Sequence, residues 1–105
     1  MIHSEIKSVP ASNGEGLMIE VIGYFSLDLH NDFRRAYEDA GKVFRRYAIN
    51  MQRCEGISSV GLGMLLLLKD YAQLDRDDLL IIHCPPAVRN VLNYSSFDQI
   101  FTILT

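Results

Sequence analysis

The stretch Ile57-Ser58-Ser59-Val60-Gly61-Leu62-Gly63-Met64-Leu65-Leu66-Leu67-Leu68 organises the whole chain. It opens on two serines, residues suited to capping a helix because a hydroxyl accepts from the free N–H groups of the first turn. An apolar run follows and continues through Tyr71, Ala72 and Leu74, with Lys69 and Asp70 as its charges before Asp75. A helix that is apolar on nearly every side is expected to be buried on nearly every side. The run is too short and too interrupted to span a bilayer. The stretch therefore predicts the central helix of a globular domain, with a polar Ser-Ser start at the surface. Gly61 and Gly63 each cost about 1 kcal/mol relative to alanine inside a helix. Near the first turn they imply close approach of something to the backbone: a neighbouring strand, a ligand or a partner protein.

Working outward, residues 74–78 predict a charged turn after this helix. Residues 79–84 form a continuous apolar run, which predicts a strand covered on both faces. Pro85-Pro86 ends it, and Pro86 suits the first position of a helix. Val88, Val91 and Leu92 give that helix an apolar stripe before Tyr94-Ser95-Ser96 closes it, and residues 99–104 predict a last strand. Upstream, residues 47–51 predict a strand, and residues 53–56 a connection to the central helix. Before them Leu29, Phe33, Ala36, Tyr37 and Ala40 recur at helical spacing. Asp28 or Asn31 is the expected cap, Arg34 and Glu38 a pair four apart, and Gly41 the stop. Ile2, Ile6 and Val9, ended by Pro10, predict a first strand, and residues 17–25 a second, joined by the turn-rich segment 11–16. The predicted order is β-β-α-β-α-β-α-β, an α/β fold with a mostly parallel central sheet packed by helices and right-handed crossovers.

The totals agree with one domain over residues 1–105. Apolar residues make up 49%, which excludes a disordered chain, and the net charge of −3 gives no nucleic-acid footprint. The basic pairs Arg34-Arg35 and Arg45-Arg46 are each offset by nearby acids. Cys54 and Cys84 are not in a Cys-x-x-Cys spacing, and the three histidines show no ligand spacing, so neither a metal site nor a redox motif is indicated. The start, residues 1–7, lacks a basic region and a long apolar region, so reduced thiols and a cytoplasmic location are expected, with no membrane insertion.

Catalytic chemistry finds little support. Ser58 and Ser59 lack a Gly-x-Ser-x-Gly elbow and a histidine partner. The Gly-Ile-Ser-Ser-Val-Gly-Leu-Gly segment after a strand suggests an anion at a helix start. It meets neither the Gly-x-Gly-x-x-Gly nor the Gly-Lys-Ser/Thr pattern. Asp77 and Asp78 read as solvated turn residues. No cofactor and no enzymatic activity are expected.

The segment from Ile57 to Gly63 resembles the Asp-Ser-Ser-Gly-Leu-Gly signature of STAS domains, the fold of bacterial anti-sigma factor antagonists. Residues 47–51 resemble the strand before the signature, residues 86–92 the family's last helix, and residues 97–103 its closing segment. The resemblance implies a non-enzymatic protein-binding regulator. Its partner would be an anti-sigma factor/serine kinase, or another STAS-binding protein, in a partner-switching pathway. It implies a contact surface of Ser58, Ser59, Val60, Gly61 and Leu62, with Asp28, Leu29 and Asn31 contributing from the neighbouring helix start. The departures are specific. The family's phosphorylatable Ser or Thr, just before Gly-Leu-Gly, falls on Val60, its signature Asp on Ser58, and a second Asp on Asn50. The usual switch places nearly two negative charges at a helix N-terminus within the interface. Val60 has no hydroxyl to carry them. Ser59, with Ser58 behind it, is the alternative phosphorylation site, although helix geometry turns Ser59 about 100° away from Val60. Three further readings stay open: a subunit of a stressosome or a lipid-transport complex, a small-ligand or nucleotide sensor at Ser58-Ser59, and a homodimer.

Overall fold

The computed structural model describes residues 3–105; Ile2, expected in the first strand, lies outside them. The chain forms β1 (Glu5–Pro10) and β2 (Gly16–Phe25), a 3-10 turn (Leu27–Leu29) leading into α1 (His30–Glu38), then β3 (Arg46–Asn50) and β4 (Cys54–Ile57). There follow α2 (Ser59–Ala72), a 3-10 turn (Arg76–Asp78), β5 (Leu79–Ile82), α3 (Pro86–Tyr94), a 3-10 turn (Phe97–Gln99) and β6 (Thr102–Ile103). The strands make one sheet in the order β1-β2-β3-β5-β6, with β4 pairing the far end of β2. β1 runs antiparallel to β2, and every other pairing is parallel. The α/β class and the mostly parallel sheet are as the sequence predicts.

β4 is the strand that the sequence reading treats as a connection. Cys-Glu-Gly-Ile is short and holds a glycine, so it carries little alternation to read. The chain leaves β3 at Asn50, whose Oδ1 accepts from the Gln52 N–H at 2.9 Å. It rejoins the sheet with Cys54 opposite Gly23 and Ile57 opposite Phe25, across a register shift between Gly23 and Tyr24. The order is therefore β-β-α-β-β-α-β-α-β. The last strand is also shorter than expected, because Gln99 belongs to the preceding 3-10 turn.

The core lies between the sheet and the helices. Leu17, Ile19, Val21 and Phe25 of β2, Tyr47 and Ile49 of β3, and Leu79 and Ile81 of β5 are fully or almost fully buried. They meet Phe33 and Tyr37 of α1, Met64, Leu65 and Leu68 of α2, and Val88 and Leu92 of α3. Phe33 packs between Phe25 and Tyr37, tilted against the first and edge-on to the second, with centroids at 4.9 and 5.8 Å. The alternate residues Met18, Glu20, Ala48, Asn50, Leu80 and Ile82 are half-buried or exposed on the opposite face. β5 is thus covered on one face and not on both. Its apolar run gains from lying mid-sheet between β3 and β6.

α2 departs from the sequence expectation in the same direction. Gly61, Met64, Leu65, Leu68 and Ala72 are buried, whereas Val60, Leu66 and Leu67 are 39%, 46% and 51% exposed. The helix lies on the sheet with one face inward; it does not run through the core. It ends at Gln73, which takes a left-handed conformation while its side chain donates to the Asp70 carbonyl at 2.7 Å. Arg34 and Glu38 approach to 3.9 Å as expected of their spacing. α1 stops at Glu38, before Gly41, which sits at φ 80° in the following turn.

Candidate partner-binding site at the start of α2

Two adjacent parallel strands, β2 and β4, end side by side at Phe25 and Ile57, and each hands the chain to a helix. This brings the start of α2 and the 3-10 turn before α1 to the same edge of the molecule. Ser58 ties them together. Its N–H donates to the Phe25 carbonyl at 3.0 Å, and its Oγ donates to the same oxygen at 3.3 Å. That Oγ also accepts from the Gly61 N–H at 3.2 Å, which makes Ser58 the cap of α2. Its hydroxyl therefore has structural work on both sides.

Gly61 is the residue that lets the two elements come this close. A Cβ there would run into the Phe25 carbonyl oxygen and stand 2.7 Å from Ile57 Cγ1. The close neighbour expected from sequence is thus the chain's own strand. Around Gly63 there is nothing within 4 Å of a Cβ position, so that glycine faces open space.

The residues nominated from sequence divide by burial. Ser59 and Val60 are exposed on the first turn of α2, and Asp28 and Asn31 are exposed beside them in sequence order on the preceding helix start. Ser58 and Leu62 are half-buried. Gly61 is buried, and Leu29 is 2% exposed, so neither presents a side chain to a partner. Leu29 is drawn inward because the 3-10 turn directs it to the core with Phe33. The same turn removes Asp28 and Asn31 as caps, since α1 begins at His30 and makes no side-chain cap hydrogen bond. Leu27, 67% exposed in this turn, is an apolar surface residue that the sequence reading missed. It lies two residues from Leu29 and falls off the helical stripe, so an isolated solvent-facing leucine was the available signal.

Electrostatically the start of α2 is bare. No acidic residue occupies its first turn, so the N–H groups of Ser59 and Val60 point outward without a carboxylate. Ser59 Oγ has no hydrogen-bond partner among the described residues. The nearby thiol of Cys54 is buried and donates to the Gly56 carbonyl at 3.2 Å; burial pushes its pKa up. Burial also pushes the Cys84 thiol up to about 11, with the neighbouring Cys54 adding to the effect. Both cysteines are free. Among the described residues no group of three His, Cys, Asp or Glu side chains could hold a metal ion, and no helix is long and apolar enough to cross a membrane.

No protein-family model matches the chain. A STAS-domain containing protein of Pseudomonas aeruginosa (strain UCBPP-PA14) is 38% identical over 98 residues, covering 93% of this chain and 97% of that protein. The chain belongs to the STAS-domain family. Solved structures of anti-sigma factor antagonists share its fold. SpoIIAA in its unphosphorylated form superposes with a TM-score of 0.77 at 16% identity, covering 96% of this chain and 89% of SpoIIAA. A Thermotoga maritima protein provisionally described as an anti-sigma factor antagonist gives a TM-score of 0.78 at 13% identity, covering 95% and 86%. The fold of this STAS domain is thus antagonist-like.

Proposed function

We propose that this STAS domain is a protein-binding regulator of the anti-sigma factor antagonist kind, which contacts its partner through the start of α2 without a phosphate switch at position 60. The observation that carries the reading is Val60. It is 39% exposed on the first turn of α2, at the position where the resemblance places the family's phosphorylatable hydroxyl. Ser59 beside it on α2, and Leu27, Asp28 and Asn31 from the neighbouring turn and helix start, are exposed and supply mixed apolar and polar side chains at the same edge of the molecule. A valine here offers apolar contact to a partner and nothing for a kinase to modify, so binding is always available. Ser58 is a poor substitute for the missing hydroxyl, because its oxygen caps α2 and bonds to Phe25. Ser59 is the remaining free hydroxyl, and a phosphate there would sit at the bare N-terminus of α2, which favours negative charge.

The experiment is capture of binding proteins from source-cell lysate, followed by titration of the recovered partner. Recovery of an anti-sigma factor with a serine-kinase fold is expected. Val60→Arg should weaken that binding by at least about tenfold, the equivalent of 1.4 kcal/mol, while leaving the melting temperature unchanged. With ATP and the partner kinase, the natural chain should take up no phosphate and Val60→Ser should take it up at residue 60. Phosphate found on Ser59 of the natural chain would overturn the ungated part of the reading. Unchanged affinity of Val60→Arg would overturn the assigned surface.

A further inference from the structure

The outward face of α2 carries more than the partner site needs. At about 100° per residue, Gly63 and Asp70 fall on the axis of this face. Val60 and Leu67 lie along one side, Ser59 and Leu66 along the other. Val60, Leu66 and Leu67 together form an apolar ridge, 39%, 46% and 51% exposed. Gly63 notches it. No contact within the fold asks for a glycine there, yet glycine inside a helix costs about 1 kcal/mol relative to alanine. What a glycine on a helix surface permits is close approach from outside. The two ends of the face also differ in charge. The first turn presents the free amides of Ser59 and Val60 with no acid beside them. Near the last turn Asp70 is exposed, and its carboxylate makes no ion pair among the described residues.

We infer that this face binds a second copy of the chain, α2 against α2 and antiparallel, about a two-fold axis passing between Gly63 and Leu66. In that register Leu66 of each copy seats on the Gly63 notch of the other. Leu67 of each lies against Val60 of the other, on the side of the face away from Leu66. Each Asp70 carboxylate comes beside the free amides at the start of the opposite helix, where a negative charge is favoured. A two-fold interface must complement itself, and this single face supplies both halves of every contact, apolar knob with notch and acid with amide. One helix of 14 residues, about 21 Å long, buries little surface. The dimer is therefore at the weak, concentration-dependent end of specific interfaces. Because Ser59 and Val60 belong to both surfaces, the dimer and the partner complex exclude each other. That coupling rests on the function proposed above; the self-association does not.

Sedimentation velocity of the full chain over a concentration series tests the dimer. A sedimentation coefficient rising with concentration is expected. Leu66→Glu should shift the midpoint upward by at least about tenfold, since it removes a buried leucine and sets two carboxylates near the axis. Its melting curve should match the natural chain, because Leu66 is exposed. A chain carrying Ser59→Cys with Asp70→Cys tests the orientation. Those positions lie about 16 Å apart within one helix, beyond disulfide reach, so the two cysteines are also placed on separate chains. In the antiparallel arrangement mild oxidation should trap the mixed pair of Ser59→Cys with Asp70→Cys and neither single-cysteine chain with itself, whereas a parallel pair would trap each with itself. The native Cys54 and Cys84 are buried and do not compete. A monomer across the series would overturn the proposal. So would a dimer that ignores Leu66→Glu and is not trapped by the cysteine pair. If the trapped dimer still captured the partner, the mutual exclusion would fall while the dimer stood.

Discussion

Gly61 and Gly63 sit two residues apart in one helix, and the same substitution should act on them with opposite sign. At Gly61 the added methyl would meet the Phe25 carbonyl oxygen and lie 2.7 Å from Ile57 Cγ1. The carbonyl is backbone and is held by the N–H and the hydroxyl of Ser58, so it has little freedom to retreat. Overpacking of this kind costs about 1–3 kcal/mol. It also strains the strand–helix junction, against about 1 kcal/mol gained from alanine's better helix propensity. Gly61→Ala should therefore destabilise by up to about 2 kcal/mol net. At Gly63 the methyl enters open space, and only the propensity gain of about 1 kcal/mol remains. With roughly 4 °C per kcal/mol for a domain of this size, thermal unfolding followed by circular dichroism should separate the two variants by about 4–12 °C. The measurement should be made at low protein concentration, so that self-association does not contribute. Equal melting temperatures, or a Gly61→Ala variant more stable than Gly63→Ala, would refute the assignment of Gly61 to close packing and Gly63 to the surface.

Other substitutions test separate parts of the fold. Ser58→Ala removes the cap of α2 and should cost about 1 kcal/mol by denaturant titration, with no change in the slope of the transition. Tyr47→Phe leaves the buried Phe44 N–H without the hydroxyl that accepts from it at 3.0 Å, and should cost about 1–3 kcal/mol in the same assay. Cys54 and Cys84 should react with a thiol reagent at pH 8 far more slowly in the folded chain than in denaturant. The pH dependence of stability follows from the raised thiols. The Cys84 thiol moves from the ordinary 9.0 to about 11 on folding, so below pH 9 both states hold the proton and stability is intact. Between pH 9 and 11 the unfolded chain loses its proton first, and the melting temperature should fall. Cys84→Ser should flatten that decline.

How much of this was legible in the sequence depends on what each residue had to reveal. The Ser-Ser start of α2 and the Pro86 opening of α3 act locally, and local chemistry reads well. The order of strands around α2 was also readable except at Cys54–Ile57. There a four-residue strand with a central glycine is held by its parallel neighbour and not by its own pattern. The apolar run in α2 misled because Leu66 and Leu67 look like core residues. A sequence does not distinguish a leucine facing the sheet from one facing solvent when both occur in one block. Asp28 and Asn31 had the right chemistry for capping, but a 3-10 turn intervenes and spends the position on Leu27–Leu29. Within the site, Val60 was identifiable because a signature fixes its place, whereas Leu27 had no motif to mark it.

β2 pairs with β1, β3 and β4, and this has a consequence for how the chain is born. Its hairpin partner β1 is synthesised just before it. Its two parallel partners come later, with Gly16 opposite Arg46 and Gly23 opposite Cys54, about 30 residues on. At about 5–20 residues per second, the nascent chain spends roughly 2–6 s with β2 made and its parallel partners still missing. During that interval Leu17, Ile19 and Val21, wholly or almost wholly buried in the finished fold, are uncovered on a ribbon with one open edge. The first half of the chain is therefore the natural client segment for a ribosome-associated holdase. Slowed translation between Phe25 and Arg46 should lower the soluble yield more than the same delay placed after Ile57.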